Sequence, residues 1–270
     1  MKTFSYIVLF LFCTSSAVAQ QDSLFQLRKT LKVTGAQLAV DNLENLYVLN
    51  NNEQLKKYSA TGDSIAVYNE VKRFGKLHTI DVSNPLKLLL YYKDFSTIVF
   101  LDRLLGLRAS LDLRRHNIQQ ASAIGLSYDN NVWVFDALNN KLKKLDEQGN
   151  QLMETEDFRS LFNSSFQPVT IIDQNNSVYL YDPAAGVYQF DHFGTFQKKH
   201  PITKWKNIAI VGKHIVGITG TGLYAYNTST LLQRQYQFPS SFGSFTQYII
   251  GNTALFGLGQ DGVHVYSFRF

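Results

Sequence analysis

One unit recurs along this chain, and that recurrence constrains the fold more than any other feature. Leu38-Ala-Val-Asp-Asn-Leu-Glu-Asn-Leu-Tyr-Val-Leu-Asn50 matches Ala123-Ile-Gly-Leu-Ser-Tyr-Asp-Asn-Asn-Val-Trp-Val-Phe-Asp136 and Val169-Thr-Ile-Ile-Asp-Gln-Asn-Asn-Ser-Val-Tyr-Leu-Tyr-Asp182. Each copy reads as an apolar strand, a polar Asp/Asn turn and a second apolar-aromatic strand. A third strand and a Gly turn follow, as in Leu55 to Gly62, Leu142 to Gly149 and Val187 to Gly194. Divergent copies fill the gaps at Thr79–Gly106, Asn207–Thr230 and Gln247–Phe270. The fifth and sixth lack the Asp after the second strand and the Gly after the third, which leaves their turns open.

The last apolar residue of each third strand measures the period. Tyr58, Leu101, Leu145, Phe190, Tyr226 and Tyr266 are 43, 44, 45, 36 and 40 residues apart. The mean is about 42, the length of a four-stranded propeller blade. Six such units need about 250 residues. The sixth stops after its third strand. One spare segment, Leu24–Val33, precedes the first unit, with Phe25, Leu27, Leu31 and Val33 alternating at period two. It is expected to supply the missing outer strand of the last blade and so remove an open sheet edge. The rival reading is an N-terminal helix, because Leu24, Leu27 and Leu31 also fit helical spacing. The predicted fold is all-β: a six-bladed β-propeller of four-stranded antiparallel blades, the last closed by the N-terminal strand.

The pattern over residues 24–270 resembles the NHL-type repeats of six-bladed propellers. The shared features are the Asp turn, the Tyr-Val-x-Asp-like second strand, the basic-aromatic third strand and the Gly. The resemblance implies the fold and leaves function open, since propellers with such repeats include enzymes and interaction modules.

Residues 1–19 read as a secretory signal. Lys2 is the charged n-region, Phe4–Cys13 a short apolar stretch well under bilayer length, and Ala17-Val18-Ala19 a cleavage site. The domain then covers 20–270, and the expected location is exported: periplasmic, associated with the outer membrane, or extracellular. The alternative is lipidation at Cys13, against which stands the bulky Phe12 before it. Cys13 is the single cysteine, so a disulfide scaffold is excluded. With 45% apolar and 14% aromatic residues, disorder is excluded too. The net charge of +5 is mild and does not call for nucleic acid. Membrane association is expected only through a partner.

Chemistry is sparse. Aligning the starts of the inner strands gives a channel ring of Gln37, His78, Gln120, Gln167, Lys206 and Gln247. It has one imidazole and no carboxylate, so neither a calcium site nor a His-ligated zinc site is supported, and no metal or cofactor is expected. The histidines at 78, 116, 192, 200, 214 and 264 form no HxH or HExxH spacing. No GxSxG elbow exists, and Gly217–Gly222 reads as a tight turn. Asn50, Asp136 and Asp182 are assigned to turns.

The loops joining consecutive blades are richer. They carry Lys72, Arg73, Lys76, Arg114, Arg115, Arg159, Lys204 and Lys206, with Phe74, Phe162, Phe166, Trp205, Phe242 and Phe245. A basic, aromatic end of the propeller suits a protein or an anionic glycan. The opposing reading folds the aromatics inward and leaves the bases solvated. The leading function is thus a non-catalytic binding or scaffold protein of the cell envelope. Its candidate contacts are Arg73, His78, Arg115, Gln120, Gln167, Trp205 and Lys206. The alternative is a lyase or hydrolase acting on a sugar or peptide at the channel mouth.

Overall fold

The computed structural model describes residues 25–163, 166–220, 222–240, 242 and 245–268. The proposed signal at 1–19 lies outside them. Strand β1 (Gln26–Leu31) precedes five blades in simple chain order. Blade I holds β2 (Gln37–Val40), β3 (Leu46–Leu49), β4 (Leu55–Tyr58) and β5 (Ser64–Tyr68). Blade II holds β6 (Thr79–Asn84), β7 (Lys87–Tyr92), β8 (Thr97–Asp102) and β9 (Leu107–Asp112). Blade III holds β10 (Ala121–Leu126), β11 (Val132–Asp136), β12 (Lys141–Leu145) and β13 (Gln151–Glu154). Blade IV holds β14 (Thr170–Gln174), β15 (Ser177–Asp182), β16 (Gly186–Phe190) and β17 (Phe196–His200). Blade V holds β18 (Lys206–Val211), β19 (His214–Thr219), β20 (Gly222–Asn227) and β21 (Gln233–Gln237). Blade VI holds β22 (Gln247–Ile250), β23 (Ala254–Leu258) and β24 (Val263–Ser267), and β1 pairs antiparallel with β24 to complete it. The innermost strands neighbour one another all the way round, β22 meeting β2, so the ring closes. The chain is a six-bladed β-propeller.

The N-terminal strand therefore wins over the helix, with one correction to its pattern. Phe25, Leu31 and Val33 are buried, but Leu27 is 55% exposed. The register slips between Leu27 and Lys29, where Arg28 is an extra residue against β24. A bulge breaks the period-two alternation at that point. The same slip recurs between the third and outer strands of blades I, II, III and IV.

The turns explain the recurring acids. Asp41, Asp102, Asp146 and Asp191 each accept hydrogen bonds from the backbone N–H two and four residues on, at 2.8–2.9 Å. Asn50 does the same at 3.0 and 2.9 Å. An Asx side chain thus replaces a backbone partner and fixes the reversal. In blade V, Asn227 takes this role toward Ser229 and Thr230.

Burial is divided among six wedges, each between two adjacent blades. Twisted sheets diverge outward, and broad rings fill the space between them. The wedge between blades III and IV holds Phe135, Phe158, Phe166, Tyr188 and Phe190. Polar stitches cross the same seams. Tyr91 Oη donates to the Ala121 carbonyl (3.1 Å), and Tyr181 Oη to the Trp205 carbonyl (2.7 Å). The Gln247 amide accepts from Leu38 N–H (2.8 Å) and donates to its carbonyl (3.0 Å), tying blade VI to blade I. Gly125 lies where β10 meets β14: a Cβ there would stand 2.8 Å from the Ile171 carbonyl oxygen. No helix among the described residues is long and apolar enough to cross a membrane.

Candidate functional site

The blade joins and the second-to-third-strand turns share one end of the ring by topology. Two joins begin with a capped turn: Asp112 accepts from Arg114 N–H (3.1 Å) and Asp157 from Arg159 N–H (2.8 Å). The same acids hold the arginine side chains. Arg114 Nε is 3.0 Å from Asp112, and Arg159 Nη2 is 2.5 Å from Asp157. The charged hydrogen bonds from Arg114 and Arg159 hold these two carboxyls below the usual carboxylate range. Arg73 pairs with Glu70 (3.1 Å) and its guanidinium lies over the Phe74 ring. Arg115 is 84% exposed and 3.9 Å from Asp112. All four arginines named at the joins therefore have an acid nearby.

The lysines differ. Among the described residues, Lys76, Lys93, Lys204 and Lys206 form no ion pair. Lys76 and Lys93 act on His78, an exposed residue whose Nδ1 is 2.9 Å from Thr79 Oγ1. Partial desolvation of the ring, with Lys93 and Lys76 adding to it and Asp94 opposing, lowers the His78 pKa below the ordinary histidine value. At this end the positive charge without an ion pair among the described residues thus sits on lysines, two of them near the imidazole at the start of blade II.

The ring of strand starts needs a register correction. Gln37 pairs with Leu49 and Gln247 with Leu258 as the first residues of β2 and β22. In blade II that position is Thr79, paired with Tyr91, and His78 stands one residue earlier. Gln120 likewise precedes β10, and Gln167 precedes β14 by three residues. Side chains alternate across a strand, so a one-residue offset turns a group to the other face. The six residues therefore do not form a single layer. Gln120, Gln167 and Lys206 are exposed, while the Gln247 amide is engaged with Leu38.

The aromatics fold inward. Phe166 and Phe242 are 1% exposed and Trp205 is 6% exposed. The Trp205 ring packs near Tyr224, against a Gly217 whose Cβ would stand 2.8 Å from it. Trp205 is therefore a wedge residue, and as a surface anchor it is withdrawn. Asp136 and Asp182 are structural: Asp136 accepts from Lys143 Nζ (2.9 Å) and Asn139 Nδ2 (2.7 Å), and Asp182 from the backbone of Ala184 and Gln167 (2.8 Å each).

Two polar arrangements escaped the sequence reading because their parts come from different blades. Asp173, at the end of β14, has a buried side chain. It accepts from Ser127 Oγ (2.9 Å), Tyr128 N–H (3.2 Å) and Trp133 Nε1 (2.8 Å), and pairs with His192 Nε2 (2.9 Å). Tyr128 stacks on His192 with centroids 4.0 Å apart. A groove of about 370 Å³ lies between the turns of blades II and III, where Lys87 Nζ meets Glu147 Oε1 at 2.7 Å. Among the described residues, no group of three or more His, Cys, Asp or Glu is arranged to hold a metal ion.

No family model matches the chain, and no curated relative matches it. Solved structures do. A streptogramin B lyase is 14% identical with a TM-score of 0.59, over 86% of this chain and 78% of its own. BamB from Moraxella catarrhalis is 14% identical with a TM-score of 0.51, over 87% and 83%. The Pan2 WD40 domain of Neurospora crassa is 9% identical with a TM-score of 0.61, over 88% and 90%. At these identities the likeness is one of fold, and the fold it establishes is the β-propeller.

Proposed function

We propose that this chain is an exported, non-catalytic binding propeller of the cell envelope, and that its blade-join end receives an acidic surface of a protein partner. One observation carries the reading: among the described residues Lys76, Lys93, Lys204 and Lys206 stand at that end without ion pairs, whereas Arg73, Arg114 and Arg159 are hydrogen-bonded to their own acids. Unpaired surface charge costs nothing in folding when removed, and it is available to an acidic partner. The inward aromatics favour a polar contact over an aromatic-anchored one. Export rests on Lys2, the apolar Phe4–Cys13 stretch and Ala17-Val18-Ala19. The NHL-type kinship rests on the Asp turns and the basic-aromatic third strands. Propeller neighbours among solved structures include a complex of BBS1N with ARL6DN, a propeller that meets a protein.

The test is capture from native envelope extracts at low salt. Wild type is expected to retain a specific partner and to lose it as salt rises. The variant with all four lysines changed to Ala is expected to melt like wild type and to lose that partner. Equal capture by the variant overturns the reading.

A further inference from the structure

A ring of six blades presents six outer strands, and the outer edge of each is left unpaired within its own sheet. Five of the six carry charge. Arg28 and Lys29 lie on β1, Arg108 and Asp112 on β9, Glu154 on β13, Lys198 and Lys199 on β17, and Arg234 on β21. Charge on an edge strand is a standard guard against pairing with another chain. Strand β5, Ser64-Ile65-Ala66-Val67-Tyr68, has none. Its inward residues, Ala66 and Tyr68, pack into the wedge between blades I and II. Ile65 and Val67 point outward, 42% and 43% exposed. The one unguarded edge is thus also β-branched on its solvent side, a composition that favours strand pairing.

We propose that β5 pairs with β5 of a second copy, antiparallel about a two-fold axis at Ala66, to give a reversible dimer. The strand is self-complementary in that register. Ile65 lies opposite Val67 of the other copy, Ala66 opposite Ala66, and Ser64 opposite Tyr68. Just outside, Asp63 meets Asn69, so no like charges face each other. The two-fold brings four β-branched side chains together on one face. The same operation on β17 would set Lys198 against Lys198, and on β1 would set Arg28 against Lys29. Docking β5 centrally on β1, β17 or β21 would set Arg28 or Lys29, Lys199 or Arg234 against Ile65 or Val67, at a desolvation cost. Pairing with itself meets no charge in the centred register, and the contact so formed is isologous and closed. The stretch is short, and a bulge opposite Tyr58 interrupts its pairing with β4. A contact of five residues a side falls below the roughly 800 Å² per partner of standard stable interfaces. The dimer is accordingly expected to appear only as concentration rises.

Sedimentation velocity over a concentration series, on the full exported chain, tests this. Wild type is expected to shift from monomer toward dimer. Ile65→Lys/Val67→Lys is expected to weaken association by roughly tenfold or more, since it sets four lysines on one face. Leu152→Lys on the guarded strand β13 is expected to leave it unchanged. Mixing the Val67→Lys and Val67→Glu variants is expected to restore association that neither shows alone, because position 67 meets its counterpart diagonally in this register. Both positions are exposed, and melting curves verify folding. Hydrogen exchange gives a second reading: amides 64–68 of wild type are expected to slow as concentration rises. A monomer at every concentration overturns the proposal, as does a dimer that survives the double substitution or leaves amides 64–68 unprotected. Occupation of β5 by a different protein, seen as protection in a heteromeric complex while the pure chain stays monomeric, overturns it equally.

Discussion

Acid should destabilise this propeller through one buried histidine. His200 ends β17 with 0% exposure, its Nε2 3.1 Å from Gln189 Oε1. Its Nδ1 is buried without a hydrogen-bond partner among the described residues. Burial, with Lys198 adding to it, pushes the pKa down to about 4. The ordinary value of about 6.5 holds in the unfolded chain. The unfolded chain therefore takes up a proton first as pH falls, and stability drops from about pH 6.5 to about pH 4 before levelling off. Each pH unit is worth about 1.36 kcal/mol, so the roughly 2.5-unit gap amounts to about 3 kcal/mol. That is a large share of the roughly 5–15 kcal/mol that holds a typical domain together. Urea unfolding across pH 7.5 to about 4 measures it, with His200→Gln as the reference. Glutamine keeps a donor toward Gln189 and does not titrate. The wild-type midpoint should fall with acid more steeply than that of the variant, by about 3 kcal/mol at the acid end. Equal pH slopes for the two proteins, or a His200 titration by NMR near the ordinary value, would refute the reasoning. The remaining titrating groups are common to both proteins and cancel in the difference.

Three further outcomes follow from burial and bonding. Leu31→Ala should cost about 2–5 kcal/mol, and deletion of residues 25–31 should cause aggregation by baring the edge of β24; a deletion that melts like wild type would disprove closure by β1. Trp205→Ala should lower stability by about 3–5 kcal/mol, read as a fall in melting temperature; unchanged melting would place the ring outside the wedge. Asp173→Ala should leave Ser127, Trp133 and His192 without their acceptor, at about 1–3 kcal/mol for each orphaned group. Calorimetry checks it, and a loss under about 1 kcal/mol would mean that the carboxylate does not staple blade III to blade IV.

Some of this protein was readable without coordinates. The period of about 42 residues sets the number of blades, because each blade repeats the same sequence of strands and turns. The six marker residues from Tyr58 to Tyr266 all fall on third strands. The missing strand of the sixth unit and the spare segment before the first together imply closure by β1. Asn50, Asp136 and Asp182 could be assigned to turns because an Asx side chain acts on backbone only a few residues away. These are local properties, and local spacing carries them.

Tertiary structure decided the rest. Whether Trp205, Phe166 and Phe242 face solvent or a wedge depends on the angle between neighbouring blades, which no spacing within one blade reports. The channel ring failed as one layer because a single-residue offset at His78, invisible to an alignment of strand starts, reverses the face. Asp173 collects donors from Ser127, Tyr128, Trp133 and His192, a turn and a strand of the neighbouring blade and a turn of its own, and only the packing of blade III on blade IV brings them within 3.2 Å. Strand β5 lacks charge in the sequence, but its solvent-facing row is known only once β4 and the blade I–II wedge have taken its other side. The dividing line is range: interactions within about five residues are written in the order of the chain, whereas burial and charge pairing are properties of neighbours that the chain order does not name.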